Sequence, residues 1–468
     1  MNTFSALPGR EWELALDTGA ARPGREWMRR RRHGDSTPGR EWLRSSTSLA
    51  ERSPLAPSTP SSDRSVRSPR PLKRLAAALA LVGLGALAFA IDSPDTTANV
   101  ATPAPVEPFV DAAELPAGSL YHLVDQIGAR QMWESGYTGA GVNVAVVDTG
   151  VARVDSLDAD GKIVGVVDLS AESVDPTLRF GDSVGHGTHM AGIIAGSETD
   201  LPAASAVDAP QEFKGVAPEA GIVSVKVAGG GVATDANDVI AGVNWVVDNA
   251  DDLDISVLNL SYNSGSGLPY QEDALTAALE RAWQAGIVVV TPAGNEGPEA
   301  NGLDSPAIDP HFIAVGGVRA IDEGFEIAEW SSNGDGVRNP DVTAPGAHIQ
   351  SLRAPGSDAD VNHPEGFVDD ETYLGSGTSQ SSAVVAGAAA LLLDAHPEWT
   401  NDQVKSALMT TAVPLAGVSD ATQGNGTIRV DLASVATDLS QPNSWPTASV
   451  DAAEVSVTPS QGFESLWT

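Results

Sequence analysis

Five short runs of this chain, "VNVAVVD" (142–148), "KIVGVVDL" (162–169), "ISVLNLS" (255–261), "IVVV" (287–290) and "FIAVGGV" (312–318), are apolar at nearly every position. A strand that alternates apolar and polar residues shows one face to water, whereas one apolar throughout must be covered on both faces. Helical patterns separate these runs. Val239, Val243 and Val246 recur at helical spacing in 239–247, and "EDALTAALERAWQAG" reads as a helix over 272–286 that Gly286 stops. Two more helices are predicted over 381–395 and 400–412, and in the second Thr400 and Gln403 have capping-box spacing. Strands buried on both faces and alternating with helices predict an α/β fold of three layers, αβα, with a mainly parallel, doubly wound central sheet. Ligands of such sheets gather at the carboxyl ends of the strands, so the residues just past each apolar run are the functional candidates.

The flanks have a different character. Three copies of "PGREW" begin at Pro8, Pro23 and Pro38 in a stretch rich in Arg, Ser and Pro, so residues 1–74 are expected to be a disordered basic segment. "RSPRPLKR", the apolar run 75–90 and its Ala-Phe-Ala end have the order of an export signal cleaved after Ala90. Retained instead, residues 75–91 would form a short membrane anchor, the alternative to a secreted, extracellular product. The basic stretch is long for a signal, which suggests a translation start downstream of Met1, near Met28 or Val66. Residues 91–117 read as a linker, and 437–468 as an acidic tail carrying Trp445 and Trp467.

Charge follows the same division. Residues 1–90 hold 15 basic and 8 acidic side chains, and the remainder 12 and 54, a net charge of −42. So acidic a body argues against nucleic acid and anionic membrane as partners of the main domain. With 0 cysteines, disulfides, thiolate zinc sites and cysteine nucleophiles are excluded as well.

Past the first strand stands Asp148, in "DTG"; "GHGTHMAG" puts His186 at the entry to a small-residue helix; Asn295 lies in "TPAGNEG" beyond a later strand. "GSGTSQSSAVVAG" (375–387) offers Ser376, Ser379, Ser381 and Ser382 ahead of the apolar helix. Singly these read as turns, caps and a structural histidine. Together they are the parts of one device. A serine hydroxyl attacks only when a base takes its proton, an imidazole base needs a carboxylate to fix its tautomer, and the resulting oxyanion needs donors already in place. A helix starting at the serine would add its own N–H and positive dipole end. A Gly-x-Ser-x-Gly elbow is excluded by Ser381, and a dinucleotide fold by glycines that precede the first strand instead of following it.

"VAVVDTGV", "GHGTHMAG", "AGNEG" and "SGTSQSSAVVAG" resemble the signature blocks of the subtilisin-like serine proteases, the subtilases, in the same order. "GVAPEAGIVSVKV" (215–227), "VLNLSYN" (257–263), "DVTAPG" (341–346), 396–412 and 426–435 also fall where that family has theirs, so the resemblance spans about 118–436. It implies a subtilisin-like fold and a serine endopeptidase acting on polypeptides through an acyl-enzyme, expected to be a monomer. Ser379 would be the nucleophile, His186 the base, Asp148 its orienting carboxylate and Asn295 an oxyanion donor. Ser261, Tyr262, Asn263, Ala293 and Gly294 would flank the pocket for the residue before the scissile bond. His189 would be structural, and Ser376, Ser381 and Ser382 loop or helix-surface hydroxyls.

The match has departures. The family usually continues Gly-Thr-Ser-Met-Ala-x-Pro-His, whereas Gln380, Ser381, Ala383 and Val384 stand here in place of Met, Ala, Pro and His. Between Ala90 and Gly118 there is no room for a pro-domain of the family's usual size. Residues 197–213 replace a loop where many relatives hold calcium and show no recognisable ligand spacing, so no metal ligand is assigned. The chemistry needs no cofactor; a structural calcium stays open.

Overall fold

The computed structural model describes residues 111–449, apart from 160, 199–201, 211, 232, 233, 301, 323 and 441–445. The PGREW repeats, the apolar run 75–90, most of the linker and residues 450–468 lie outside the described residues.

The strands are β1 (Asn143–Asp148), β2 (Ile163–Asp168), β3 (Gly221–Lys226), β4 (Ile255–Leu260), β5 (Val288–Pro292), β6 (Ile313–Ile321), β7 (Gly324–Ile327), β8 (Val342–Pro345), β9 (Ile349–Leu352) and β10 (Thr372–Gly375). Eight form one sheet in the order β2-β3-β1-β4-β5-β6-β7, with β8 also paired to β6. Every pairing in it is parallel except the β6–β7 hairpin. β9 and β10 make a separate antiparallel pair. The helices are α1 (Leu120–Gln126), α2 (Ala129–Glu134), α3 (His186–Ala195), α4 (Ala236–Asn249), α5 (Ala274–Gln284), α6 (Asp358–Asn362), α7 (Thr378–Ala395) and α8 (Asn401–Thr410), followed by two single turns.

The two-faced burial that the apolar runs imply is explicit in β1. Val144 and Val146 pack into a core shared with α1, α2, α3 and α7, while Ala145 and Val147 pack into a second core with α4 and α5. β5 divides likewise, Val288 and Val290 to the first core and Val289 to the second. The sheet is therefore doubly wound. α8 starts as its sequence indicates: Thr400 Oγ accepts from Gln403 N–H at 3.2 Å and Gln403 Oε1 accepts from Thr400 N–H at 2.9 Å.

β1 is central, between β3 and β4, and its last residue is Asp148. In the β1–β4 register Val147 faces Leu260, which carries Ser261 just past the strand. α3 and α7, both on the first-core face, begin near this carboxyl edge with His186 and Thr378.

Candidate active site

Asp148 and His186 meet where β1 ends and α3 begins. His186 Nδ1 lies 2.8 Å from Asp148 Oδ1, and both side chains are fully buried. Burial holds the Asp148 carboxyl above its usual range, against the opposing pull of His186 and of the Thr149 N–H, which donates to Oδ1 at 2.8 Å. With the Nδ1 proton directed at Asp148, the basic lone pair of the neutral ring is on Nε2.

Asp182 fixes this pair from behind. Its Oδ1 accepts from the Thr149 hydroxyl at 2.8 Å and from Gly185 N–H at 2.7 Å; its Oδ2 accepts from Thr188 N–H at 2.8 Å and the Thr188 hydroxyl at 2.6 Å. Thr149 Oγ1 in turn accepts from Gly187 N–H at 2.9 Å. One buried carboxylate therefore ties the turn after Asp148 to the first turn of α3. The loop leading to it is held by Lys226, whose ammonium is fully buried, 2.6 Å from Glu172 and donating to the Gly181 carbonyl at 2.8 Å.

At α7, Gly377 precedes the helix and Ser379 is its second residue, one position further in than a helix starting at the serine would have it. The Ser379 carbonyl accepts from Ser261 Oγ at 3.3 Å, and Ser261 Oγ accepts from Asn259 Nδ2 at 2.9 Å. This places the start of α7 against the end of β4, beside Asp148. Asn295 joins from the loop after β5: its Oδ1 accepts from Thr378 N–H at 2.9 Å and from the Thr378 hydroxyl at 3.0 Å. A backbone N–H can only donate, so the oxygen of this amide is the atom facing Thr378. Its NH2 group lies along Gly377, where an added Cβ would stand 3.3 Å from Nδ2. Thr378 Oγ1 also accepts from Gly294 N–H at 3.3 Å.

Of the other serines, Ser376 lies in the loop before α7 as expected, whereas Ser381 and Ser382 are not helix-surface hydroxyls. All are buried and bonded internally. Ser376 Oγ accepts from His348 N–H at 2.8 Å, Ser381 Oγ donates to the Ala344 carbonyl at 2.9 Å, and Ser382 Oγ donates to the Thr378 carbonyl at 2.9 Å. Ser381 fits where the family has alanine because Gly346 faces it; a Cβ there would stand 2.1 Å from Ser381 Oγ. Gln380 is fully buried and lies under Gly375 and Gly377, 2.6 and 3.0 Å from where their Cβ atoms would be. His189 is also buried, which pushes its pKa down to about 3, and its Nε2 is 3.2 Å from the Tyr373 carbonyl.

Of the five residues expected at the substrate pocket, Asn263 is the one that is not buried. The Tyr262 ring lies in the second core, where burial lifts its phenol to about 12, and Ala293 packs against Leu303, Ala307 and Ala314. Ser261 and Tyr262 can therefore line a pocket only through backbone. In the stretch 197–213, Glu198 accepts from Phe213 N–H at 3.1 Å and Lys214 donates to Ser197 Oγ at 2.8 Å. Asp182 and Thr378 were missed as site residues in the sequence. The signal for Asp182 was an acidic residue four places ahead of a helix-opening histidine, where a carboxylate caps exposed N–H groups.

A buried carboxylate–imidazole pair at a strand end, with a serine-bearing helix and an oriented amide beside it, has the parts of a serine hydrolase built on a parallel sheet. Residues 139–431 match the model of the subtilase family. The chain is 37% identical over 286 residues to "Serine protease AprX" of Bacillus subtilis strain 168, covering 58% of this chain and 61% of that relative. It is 33% identical over 319 residues to "Subtilisin E" of the same strain, covering 68% and 72%. To "Subtilisin" of Bacillus pumilus it is also 33% identical over 319 residues, covering 68% and 99%. The chain belongs to the subtilase family, and its class is that of a serine-type endopeptidase.

Proposed function

We propose that the protein is a secreted endopeptidase in which Ser379 attacks the scissile carbonyl, His186 shuttles the proton and Asp148 orients His186. Asn295 Nδ2 and the Ser379 N–H hold the oxyanion. The observation that carries this reading is the 2.8 Å bond between His186 Nδ1 and Asp148 Oδ1 in full burial. Such a bond fixes one tautomer and lowers the cost of the imidazolium that forms when serine is deprotonated. Secretion rests on the basic flank, apolar run and Ala-Phe-Ala end of 67–90. Among the described residues no helix is long and apolar enough to cross a membrane.

The test is a fluorophosphonate probe on the full chain, with the labelled peptide mapped by mass spectrometry. Label on Ser379 that disappears in His186→Ala is the expected result. Hydrolysis by Ser379→Ala at the wild-type rate would refute the assignment.

The substrate reading extends to the residue before the scissile bond. Ser264 N–H donates to the Ser305 carbonyl at 2.9 Å, which ties the 261–264 segment to the loop bearing Asp304. Glu296 Oε2 would stand 2.4 Å from a Cβ on Gly294, and the half-buried Asp304 carboxyl is raised by burial and then by the charge of Glu296. Glu296 beside Gly294, and Asp304 next to the Ser305 that holds Ser264, favour a basic side chain there. Peptides with Arg at that position should exceed their Leu counterparts in kcat/KM by at least about 10-fold, the worth of one modest charge contact. Asp304→Asn should shrink the ratio; a ratio below one in the wild type refutes the preference.

A further inference from the structure

Glu280 on α5 and Asp309 and His311 ahead of β6, none of them used by the catalytic candidates, bring three electron-pair donors together. Their ligand atoms all lie within 4.8 Å of one another. His311 Nδ1 is 2.8 Å from Asp309 Oδ1 and 3.8 Å from Glu280 Oε1. Glu280 and Asp309 are only 3% and 0% exposed. Asp309 Oδ2 is buried and receives no N–H or hydroxyl donor, and its carboxyl stands against that of Glu280, an expensive state for two carboxyls.

The surrounding cations are engaged elsewhere. Lys405 Nζ lies 3.2 Å from Asp341 and donates to the Pro310 and Phe312 carbonyls at 2.7 Å. Arg338 pairs with Asp341 at 3.0 Å and donates to the carbonyls of Ala307 and Asp309 at 3.0 Å. Two buried carboxyls and an imidazole nitrogen at these separations need a proton or a metal ion between them.

We propose that Glu280, Asp309 and His311 form a binding site for a divalent transition-metal ion of the zinc class. One imidazole nitrogen and two carboxylates are a borderline donor set, which suits zinc; calcium and magnesium take oxygen donors. Tetrahedral bonds of about 2.0–2.1 Å have edges of about 3.3 Å, and the donor separations of 2.8 and 3.8 Å straddle that length. The C-terminal segment closes the site. Ala448 N–H donates to Glu280 Oε1 at 2.7 Å, Ser449 N–H to the Gln271 carbonyl at 2.9 Å, and the Tyr270 hydroxyl to the Pro446 carbonyl at 3.0 Å. A bound ion would therefore staple α5, the entry to β6 and the acidic tail.

The experiment uses the full chain carrying Ser379→Ala, so that self-digestion is excluded and the result is independent of the proposed catalysis. After stripping with a chelator, Zn2+ is titrated by calorimetry, with Ca2+ and Mg2+ as controls, and the thermal midpoint is measured with and without Zn2+. One Zn2+ per chain at micromolar or tighter Kd, a raised midpoint and no response to Ca2+ or Mg2+ are expected. Glu280→Gln and His311→Gln, shown folded by circular dichroism, should each weaken binding at least about 10-fold. No Zn2+ binding below millimolar, or binding that both variants retain in full, overturns the proposal.

Discussion

An amide can stabilise an oxyanion only if its NH2 end faces the reaction, and Asn295 is oriented by Thr378, whose N–H and hydroxyl both address Oδ1. In subtilisin, a member of the same family, removing the oxyanion-hole asparagine costs about 10²–10³ in kcat. Asn295→Ala should therefore leave a measurable remnant of peptidase activity with KM little changed. Thr378→Val, which keeps the N–H and loses the hydroxyl, should fall between this variant and the wild type; steady-state kinetics of both variants checks the order. Asp148, His186, Asn295 and Ser379 could be picked out because each lies in a short motif whose chemistry is local, and the structure brings Asp148 to His186 and Asn295 to the residue before Ser379. Asp182 and Thr378 were not, since their roles are defined by partners 33 and 83 residues away in sequence. The same distance hid the fate of Ser381, whose acceptor, the Ala344 carbonyl, comes from β8.

For elements, periodicity located those whose burial is purely apolar and lost those that bury charge. β3, "GIVSVK", is fully buried, yet Ser224 and Lys226 break its apolar run, and Lys226 is tolerated inside because Glu172 and two carbonyls satisfy it. β7 is only half-buried beyond its exposed Gly324 and has no apolar run to read. α7, expected over 381–395 or from Ser379, starts earlier, at Thr378 directly after Gly377. Gly377 has φ +151°, and a Cβ there would stand 3.0 Å from Gln380 Oε1 and 3.3 Å from Asn295 Nδ2. Gly377→Ala should cost about 1–3 kcal/mol of stability through backbone strain and crowding. Because the crowded atoms include the Asn295 amide, labelling of Ser379 should also slow, by at least about 10-fold if an oxyanion donor is displaced. Urea unfolding beside probe kinetics separates the two effects; a loss of stability with unchanged labelling would place the strain elsewhere.

At the scale of the whole molecule, stability against pH is set by buried groups of opposite sign, on a body of net charge −42. His189 is held down to about 3 by burial and then by the charge of His186, so from about 6.5 to 3 the unfolded chain binds a proton that the folded one refuses. Its contribution to stability is lost as pH falls through that window, by about 1.4 kcal/mol per pH unit. Glu280, raised to about 7 from 4.5, acts the other way: the folded chain keeps a proton that the unfolded one gives up, so stability is gained as pH falls from about 7 to 4.5. Between about 6.5 and 4.5 the two slopes cancel, and below 4.5 His189 acts unopposed by Glu280. Urea unfolding of the Ser379→Ala chain, in chelator and about 0.15 M salt to screen surface repulsion, should show a plateau and then a fall. Glu280→Gln should convert the plateau into a decline with falling pH, because the His189 slope is then no longer offset by Glu280. His189→Gln, if folded, should do the reverse, with stability rising as pH drops from about 7 to 4.5. A wild-type curve that both substitutions leave unchanged in shape would mean that neither buried group governs the acid limb.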